Sequence, residues 1–325
     1  LPLVRVIGGG PAGSCAALAA LAEGAEVEVF EVSAFPRHKV CGEFLSPEAA
    51  RLLEAAGVAE EFDRLRPARL DRVCLHFGAR QKSWRLAEPA FGISRFALDH
   101  FLQQSAIARG ARWIREKAGG QPPPVVIAHG RKLAAEKGNR RFGFKAHFAG
   151  PPGSDVDLYF FDGCYLGVSA VESGHINVCG LGPEDRLRRF GFRIDEFLDA
   201  QPAVRERLRP LRRIVPWLTT GPLLFTGRLP GSAPGQYLCG DALGFIDPFT
   251  GSGMLSAMGT GRLAGQAAAR GEPADLHLRR CRQALAGQYR FSAAARGAIE
   301  SGWAGLLALL IPGPALFGLT RPRFV

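Results

Sequence analysis

Several things are scarce or missing in this sequence. Its seven cysteines form no C-x-x-C pair, and no ligand spacing suits zinc, so no metal site is expected. Cys15, Cys41, Cys74, Cys164, Cys179, Cys239 and Cys281 fall mostly within apolar stretches, as reduced, buried thiols do in a cytoplasmic protein. No apolar run is long enough to span a bilayer: the longest, Trp303 to Leu319, is broken by Pro312-Gly313-Pro314. No secretory leader is visible. Acidic residues are outnumbered, with 41 Lys and Arg against 30 Asp and Glu and a net charge of +11. The surplus suits an anionic dinucleotide, an acidic membrane face or an acidic carrier protein. The arginines are scattered and no aromatic-interleaved basic stripe accompanies them, so nucleic acid is not expected as a partner. Internal repeats and low-complexity tracts are also absent.

What is present is a chain of 325 residues, 47% apolar and 22% charged, long enough to bury a large core. Near its start, Val4, Val6 and Ile7 read as a short buried strand, and an Ala-rich helix follows from about Ala12 to Ala22. Between them lies Gly8-x-Gly10-x-x-Gly13. Gly8 permits the sharp bend, Gly10 allows a diphosphate close to the backbone, and Gly13 lets helix and strand pack. Pro11 and Ala12 complete the turn, and the helix N-terminus offers bare N–H groups to phosphate. A second strand, Glu26 to Phe30, ends in Glu31, placed to accept from the two hydroxyls of a ribose.

Far downstream, the strand-like Gln236 to Cys239 leads into Gly240-Asp241. An Asp at a strand end, beside a Gly that allows close approach, suits a polyol hydroxyl such as the ribityl chain of a flavin. Pro248 to Gly253 then open a helix running to about Arg270, and Gly251, Ser252 and Gly253 leave its first amides free for the electron-rich edge of a reduced flavin. NAD enzymes have no use for this second site, so the cofactor expected is FAD.

On four segments the chain resembles the FAD-dependent oxidoreductases of p-hydroxybenzoate hydroxylase architecture, and most closely their geranylgeranyl reductase branch. The segments are Gly8 to Glu31, Pro36-Arg37-His38-Lys39-Val40-Cys41-Gly42-Glu43, Ile93-Ser94-Arg95-Phe96-Ala97-Leu98-Asp99, and Gly240 to Met254. The resemblance implies an α/β (α+β mixed) chain in which a Rossmann-like FAD-binding domain (residues 1–70, 92–135 and 230–275) is interwoven with an antiparallel-sheet substrate domain (71–91 and 136–229). C-terminal helices (276–325) follow. It also implies Arg37 and Arg95 beside the cofactor, Asp241 on the ribityl chain, Pro248, Gly251 and Gly253 under the flavin ring, and Cys41 near the ring as a proton donor or pocket wall. Strand-like stretches at Asp71–Phe77, Arg141–Phe148, Val156–Phe161, Tyr165–Val171 and His175–Leu181 supply the expected antiparallel sheet.

Three departures bear on function. The connection from Arg112 to Pro124 is shorter than the strand-rich excursion of relatives. Where hydroxylases carry an Asp-Gly pair tied to FAD and NADPH, this chain has His129-Gly130, so the donor is either NADPH or an external reductase, ferredoxin or flavodoxin. Neither the halogenase Trp-x-Trp-x-Ile-Pro signature nor the aromatic-rich element of geranylgeranyl reductases is matched, by Ile214 to Trp217 or by Cys164 to Ala170 respectively.

No acid–base pair stands out. Glu43 reads chiefly as a helix-start carboxylate, and His175 and Tyr165 as satisfied core residues. Phe160, Phe161, Phe245 and Phe249 suggest an apolar pocket, although strand aromatics commonly serve only as core. The expectation is an FAD-dependent oxidoreductase, reductase- or dehydrogenase-like, on a small apolar isoprenoid- or polyketide-like substrate. A flavin monooxygenase and a non-catalytic electron-transfer module are the alternatives. The stretch from Trp303 to Ile311 must bury its apolar surface, against the protein body or, with Arg321 and Arg323 behind it, against a membrane.

Overall fold

The computed structural model describes residues 1–131, 140–223, 229–231, 233–301, 305, 308 and 310–324. Two sheets organise them. The first is wholly parallel, with the order β14 (Gln236–Leu238), β7 (Val125–Ile127), β1 (Leu3–Ile7), β2 (Glu26–Phe30), β6 (Arg112–Ile114). Val4, Val6, Val27, Val29 and Val126 are buried at its centre. A parallel sheet needs cover on both faces, which accounts for the density of small β-branched residues.

Helix α1 (Pro11–Ala22) lies against this sheet and is buried along nearly its whole length. Such burial requires small side chains, and its partner α8 (Gly253–Ala269) meets it with glycines. A Cβ at Gly261 or Gly265 would overlap the backbone of Ala12 or Ala16, so the two helices touch main chain to main chain.

The second sheet runs β12 (Arg212–Arg213), β8 (Arg141–Ala149), β11 (Ile176–Pro183), β10 (Cys164–Ala170), β9 (Asp155–Phe161), β4 (Ala68–Phe77), β5 (Arg80–Gly92), β3 (Phe44–Leu45), with β13 (Leu218–Leu223) also on β8. The expectation of an antiparallel sheet holds for every pair except β4–β9, which is parallel. β4 comes from an early piece of chain and enters beside β9 without a hairpin, so nothing local sets their relative direction. One face of this sheet packs Phe144, Phe148, Leu166 and Val178 against Leu187, Ile194, Phe197 and Val204 from three short helices.

The chain closes with α9 (Ala274–Glu300) and a short helix, Gly313–Leu319. No helix among the described residues is long and apolar enough to cross a membrane. Within the stretch Trp303 to Ile311, the residues Trp303, Ala304, Leu306, Leu307 and Leu309 lie outside the described residues. Gly305 faces Phe77, and Ala308 is buried beside Val73 and Leu75 of β4. Those described positions pack on the body of the protein. Arg321 is also turned inward, 8% exposed, and so is not presented to lipid.

Candidate cofactor cleft and adjoining cavity

The turn after β1 adopts a shape that glycine makes possible. Gly8 has φ +100°, and a Cβ there would collide with the backbone of Ala128 and His129. A Cβ at Gly13 would overlap the Gly8 carbonyl, so Gly13 stands behind the turn and sets how closely α1 approaches. Gly10 is the N-cap of α1 and brings no side chain to its first amides. Glu31 closes the far side: its carboxylate accepts from Gly9 N–H at 2.9 Å and from Ser33 N–H at 2.8 Å. Burial works to raise its pKa, but these amides and Arg37 outweigh it and hold the carboxyl below its ordinary value.

Five cations line the cleft among the described residues: the exposed Lys117 and four that are more enclosed. Arg37 lies 3.8 Å from Glu31, and its buried Nε has no hydrogen-bond partner. Arg95 opens α4 (Arg95–Ala108), is held in a fork by Asp99 at 2.6 Å, and reaches to within 3.7 Å of where a Cβ on Gly10 would be. Lys39 and Arg131 also line the cleft, and sequence reasoning assigned neither to it. Burial lowers the pKa of both, with the charges of Arg95 and Arg37 lowering Lys39 further. Lys39 lay within the quoted Arg37–Glu43 segment, and Arg131 directly follows the His129-Gly130 departure; only the fold turns them inward.

Asp241 projects into the cleft floor, open to the cleft but surrounded by protein. That enclosure raises its carboxyl, against the pull of Arg131, Lys39 and Arg95. Beyond it, a turn at Pro248–Thr250 leads through Gly251, at φ +64°, to the start of α8 at Gly253. No side chain caps α8, and a Cβ on Gly253 would meet nothing within 4 Å.

The sequence-predicted positions Gly8, Gly10, Pro11, Ala12, Glu31, Arg37, Cys41, Arg95, Asp241, Pro248, Gly251 and Gly253 therefore line one cleft of about 690 Å3. Gly13 and Ser252 do not line it. Ser252 is fully buried, and its hydroxyl bonds Thr250 Oγ1 at 2.8 Å and accepts from Gln288.

Cys41 sits at the cleft wall, its Sγ accepting from the Glu43 amide at 3.4 Å and its carbonyl from Asn177 at 3.1 Å. Glu43 itself is more than a helix-start carboxylate. It has no exposed surface and a φ of +54°. It accepts from the first amide of α4 at 2.7 Å, and also from Lys145 and from His147 Nε2 at 2.6 Å, both on β8. Burial opposes its charge, but His147 and Lys145 prevail and hold the carboxyl below its ordinary value. This cluster ties the second sheet to the cofactor cleft. The lysine and histidine alternate along β8, a pattern that marks one sheet face without naming the partner.

A second cavity, of about 310 Å3, adjoins the first. Gly42, Phe44, Tyr165, Cys179, Pro248 and Gly251 line both. Val73, Leu75, Leu158 and Phe160 line it from the sheet, together with Phe249, Phe291, Phe317 and Arg321. Tyr165 thus faces both cavities, and burial raises its pKa well above the ordinary value, whereas His175 lines neither. Of the predicted aromatics, Phe160 and Phe249 line the second cavity, Phe245 the cofactor cleft, and Phe161 packs in the core. Trp217 donates to Asp195 at 2.9 Å and packs on Phe144 and Phe148, away from both cavities.

The cleft fits FAD on its own geometry. It combines an uncapped helix start at Gly10, a buried unpartnered Arg37 nitrogen, an acid at each of the two ends expected to meet a sugar, and a second uncapped helix start at Gly253. The chain matches no protein-family model. It is 45% identical over 60 residues to menaquinone reductase of Mycolicibacterium smegmatis, 18% of this chain and 15% of the relative. To menaquinone reductase of Mycobacterium tuberculosis it is 35% identical over 115 residues, 34% and 28% respectively. These matches span well under a third of the relatives' own length.

Among solved structures, a flavoprotein/dehydrogenase from Cytophaga hutchinsonii superposes with TM-score 0.78 at 18% identity, covering 98% of this chain and 96% of the other. A geranylgeranyl bacteriochlorophyll reductase-like protein from Thermoplasma acidophilum gives 0.76 at 19%, covering 98% and 96%. The flavin-dependent brominase Bmp2 gives 0.77 at 18%, covering 98% and 94%. The chain shares its fold with these flavoproteins. Reductase-like proteins, halogenases and a probable monooxygenase share it, so chemistry has to be argued from the site.

Proposed function

We propose that this protein is an FAD-dependent oxidoreductase of the reductase or dehydrogenase kind, acting at carbon on a small apolar substrate of isoprenoid or polyketide character. The observation that carries the reading is the second cavity, whose walls are almost wholly apolar and which meets the cofactor cleft at Tyr165, Pro248 and Gly251. FAD, when bound, supplies the two-electron chemistry. The chain's own part is to hold the diphosphate and sugars with Gly10, Glu31, Arg37, Arg95 and Asp241, to present the substrate from the apolar side, and to keep water out. Tyr165 and Cys179 are the protic groups that line both cavities, and Cys41 stands on the cofactor-cleft wall. The curated relatives support a reductase, since the quinone in their name is itself apolar. An electron-transfer module would need no such cavity beside its cofactor.

His129 stands at the cleft edge, hydrogen-bonded to the Gly130 carbonyl at 2.7 Å, where hydroxylases carry an acid. We therefore assign electron supply to an external reductase. Stopped-flow absorbance under anaerobic conditions should show slow flavin reduction by NADPH alone; rapid bleaching would revive the hydroxylase reading. Anaerobic turnover with an artificial donor supports reduction, whereas product oxygen labelled from O2 would establish a monooxygenase. We further propose a cytoplasmic location, with peripheral membrane contact because an apolar substrate partitions into lipid.

A further inference from the structure

The second cavity has an unusual polar inventory for so apolar a space. Arg321 lines it, 8% exposed, with its guanidinium 4.2 Å from the centre of the Phe317 ring and 6.0 Å from that of Phe44. Its partners are all neutral: the Thr250 carbonyl, the Gly251 carbonyl at 3.3 Å, and Thr320 Oγ1 at 2.8 and 3.0 Å. Among the described residues no carboxylate comes within ion-pair distance. Glu48 acts on it only through space. Burial lowers its pKa to about 10, still far enough up to leave it charged at neutral pH.

A buried cation without an ion-pair partner is costly, and an anionic ligand would offset that cost. The other polar groups on the cavity wall point to the same ligand chemistry. Trp84, Tyr165 and Ser169, each carrying a hydrogen-bond donor, also line it. Among the described residues no Asp or Glu lines the cavity. An apolar space with surplus donors and a net positive charge selects an apolar ligand ending in an anionic oxygen.

We propose that Arg321 is the anchor of the second cavity, and that the ligand it accepts is an apolar ring or chain bearing an oxyanion: a carboxylate, phenolate or enolate. This rests on reading the cavity as the substrate site. The guanidinium N–H left over on Nη1 meets the oxyanion, the Phe317 and Phe44 rings flank the cation, and the apolar body extends along Leu75, Leu158 and Phe160. Because Arg321 also holds the carbonyls of Thr250 and Gly251, it sets the ligand's distance from the turn that borders the cofactor cleft.

The test is calorimetric titration of the full-length, FAD-loaded protein with 2-naphthoate and with its neutral counterpart 2-naphthalenemethanol. The wild type should bind the carboxylate about tenfold tighter or more. Arg321→Met should erase that preference while leaving affinity for the alcohol unchanged. Equal affinities in the wild type, or a preference that survives in Arg321→Met, would overturn the proposal. The wild-type comparison decides even if Arg321→Met fails to fold, and Arg321→Gln is the second variant. Equal wild-type affinities together with a lowered flavin potential in Arg321→Gln would assign the cation to the cofactor instead, and also overturn it. Binding is read without turnover, so its failure is distinct from failure to find a reductase activity.

Discussion

The two cavities share a wall and differ in almost everything else. The cofactor cleft is built from turns and helix starts, lined by glycine and, among the described residues, by five cations and four carboxylates, Glu31, Glu43, Glu116 and Asp241. The second cavity is lined largely by Val, Leu, Phe and Ala on strands and helices, with, among the described residues, one buried arginine as its charge. A site for a large, charged, multi-part cofactor needs many oriented donors, which exposed backbone at turns supplies. A site for an apolar substrate needs area and shape, which side chains on regular elements supply. Perturbing the two regions should therefore give different symptoms: lost flavin on one side, and lost stability or substrate binding with retained flavin on the other.

The largest effect should follow truncation after Ser301. It removes Ala308, Ile311, Leu316, Phe317 and Arg321 from the second cavity and bares Val73 and Leu75, so insoluble or poorly folded protein is expected. A soluble, flavin-replete truncation that no longer co-sediments with liposomes would instead make the segment a membrane-docking element and break the comparison. Next is Glu43→Ala, which strands Lys145 and His147 in the interior and should cost about 3–5 kcal/mol in denaturant unfolding. A loss under about 1 kcal/mol would mean that the cluster is hydrated and weakly coupled.

Asp241→Ala should spare the fold and weaken FAD retention by about 1.5–3 kcal/mol, roughly tenfold to a hundredfold in dissociation constant. Unchanged flavin affinity would remove Asp241 from the cofactor site. The smallest effect concerns His277, outside both cavities, which bonds the Leu238 carbonyl at 2.9 Å. Burial, aided by Arg280, holds its imidazole below the ordinary value of about 6.5. The folded protein then binds fewer protons than the unfolded chain below that pH, so stability is full above it and falls as the pH drops. In urea titrations, His277→Asn should flatten that acid slope slightly, and an unaltered slope would show that other groups carry it.

Legibility in the sequence followed the same division. The turn at Gly8 to Gly13, Glu31 at a strand end and the Gly251–Gly253 helix start were readable because each element's chemistry is local, a few residues long and dictated by backbone geometry. Lys39, Lys145, His147 and Arg321 were not. They occupy ordinary positions in strand, loop and tail, and nothing within several residues of them signals which remote group they will meet. Arg321 shows this plainly: in sequence it is a basic residue behind an apolar run, suited to a membrane surface, yet in space it is buried against the Thr250–Gly251 turn.

The sequence by itself determined the glycine turns and the strand-end acids of the cofactor cleft, because such short runs fold by local backbone geometry. It also determined the presence of a parallel sheet and most of the strands of the second. Only the tertiary structure decided the parallel β4–β9 pairing, the Glu43–Lys145–His147 cluster and the closing of the apolar cavity by α9 and the C-terminal residues. Those depend on contacts between segments tens to hundreds of residues apart, where hydrophobic burial specifies that surfaces meet but not which ones.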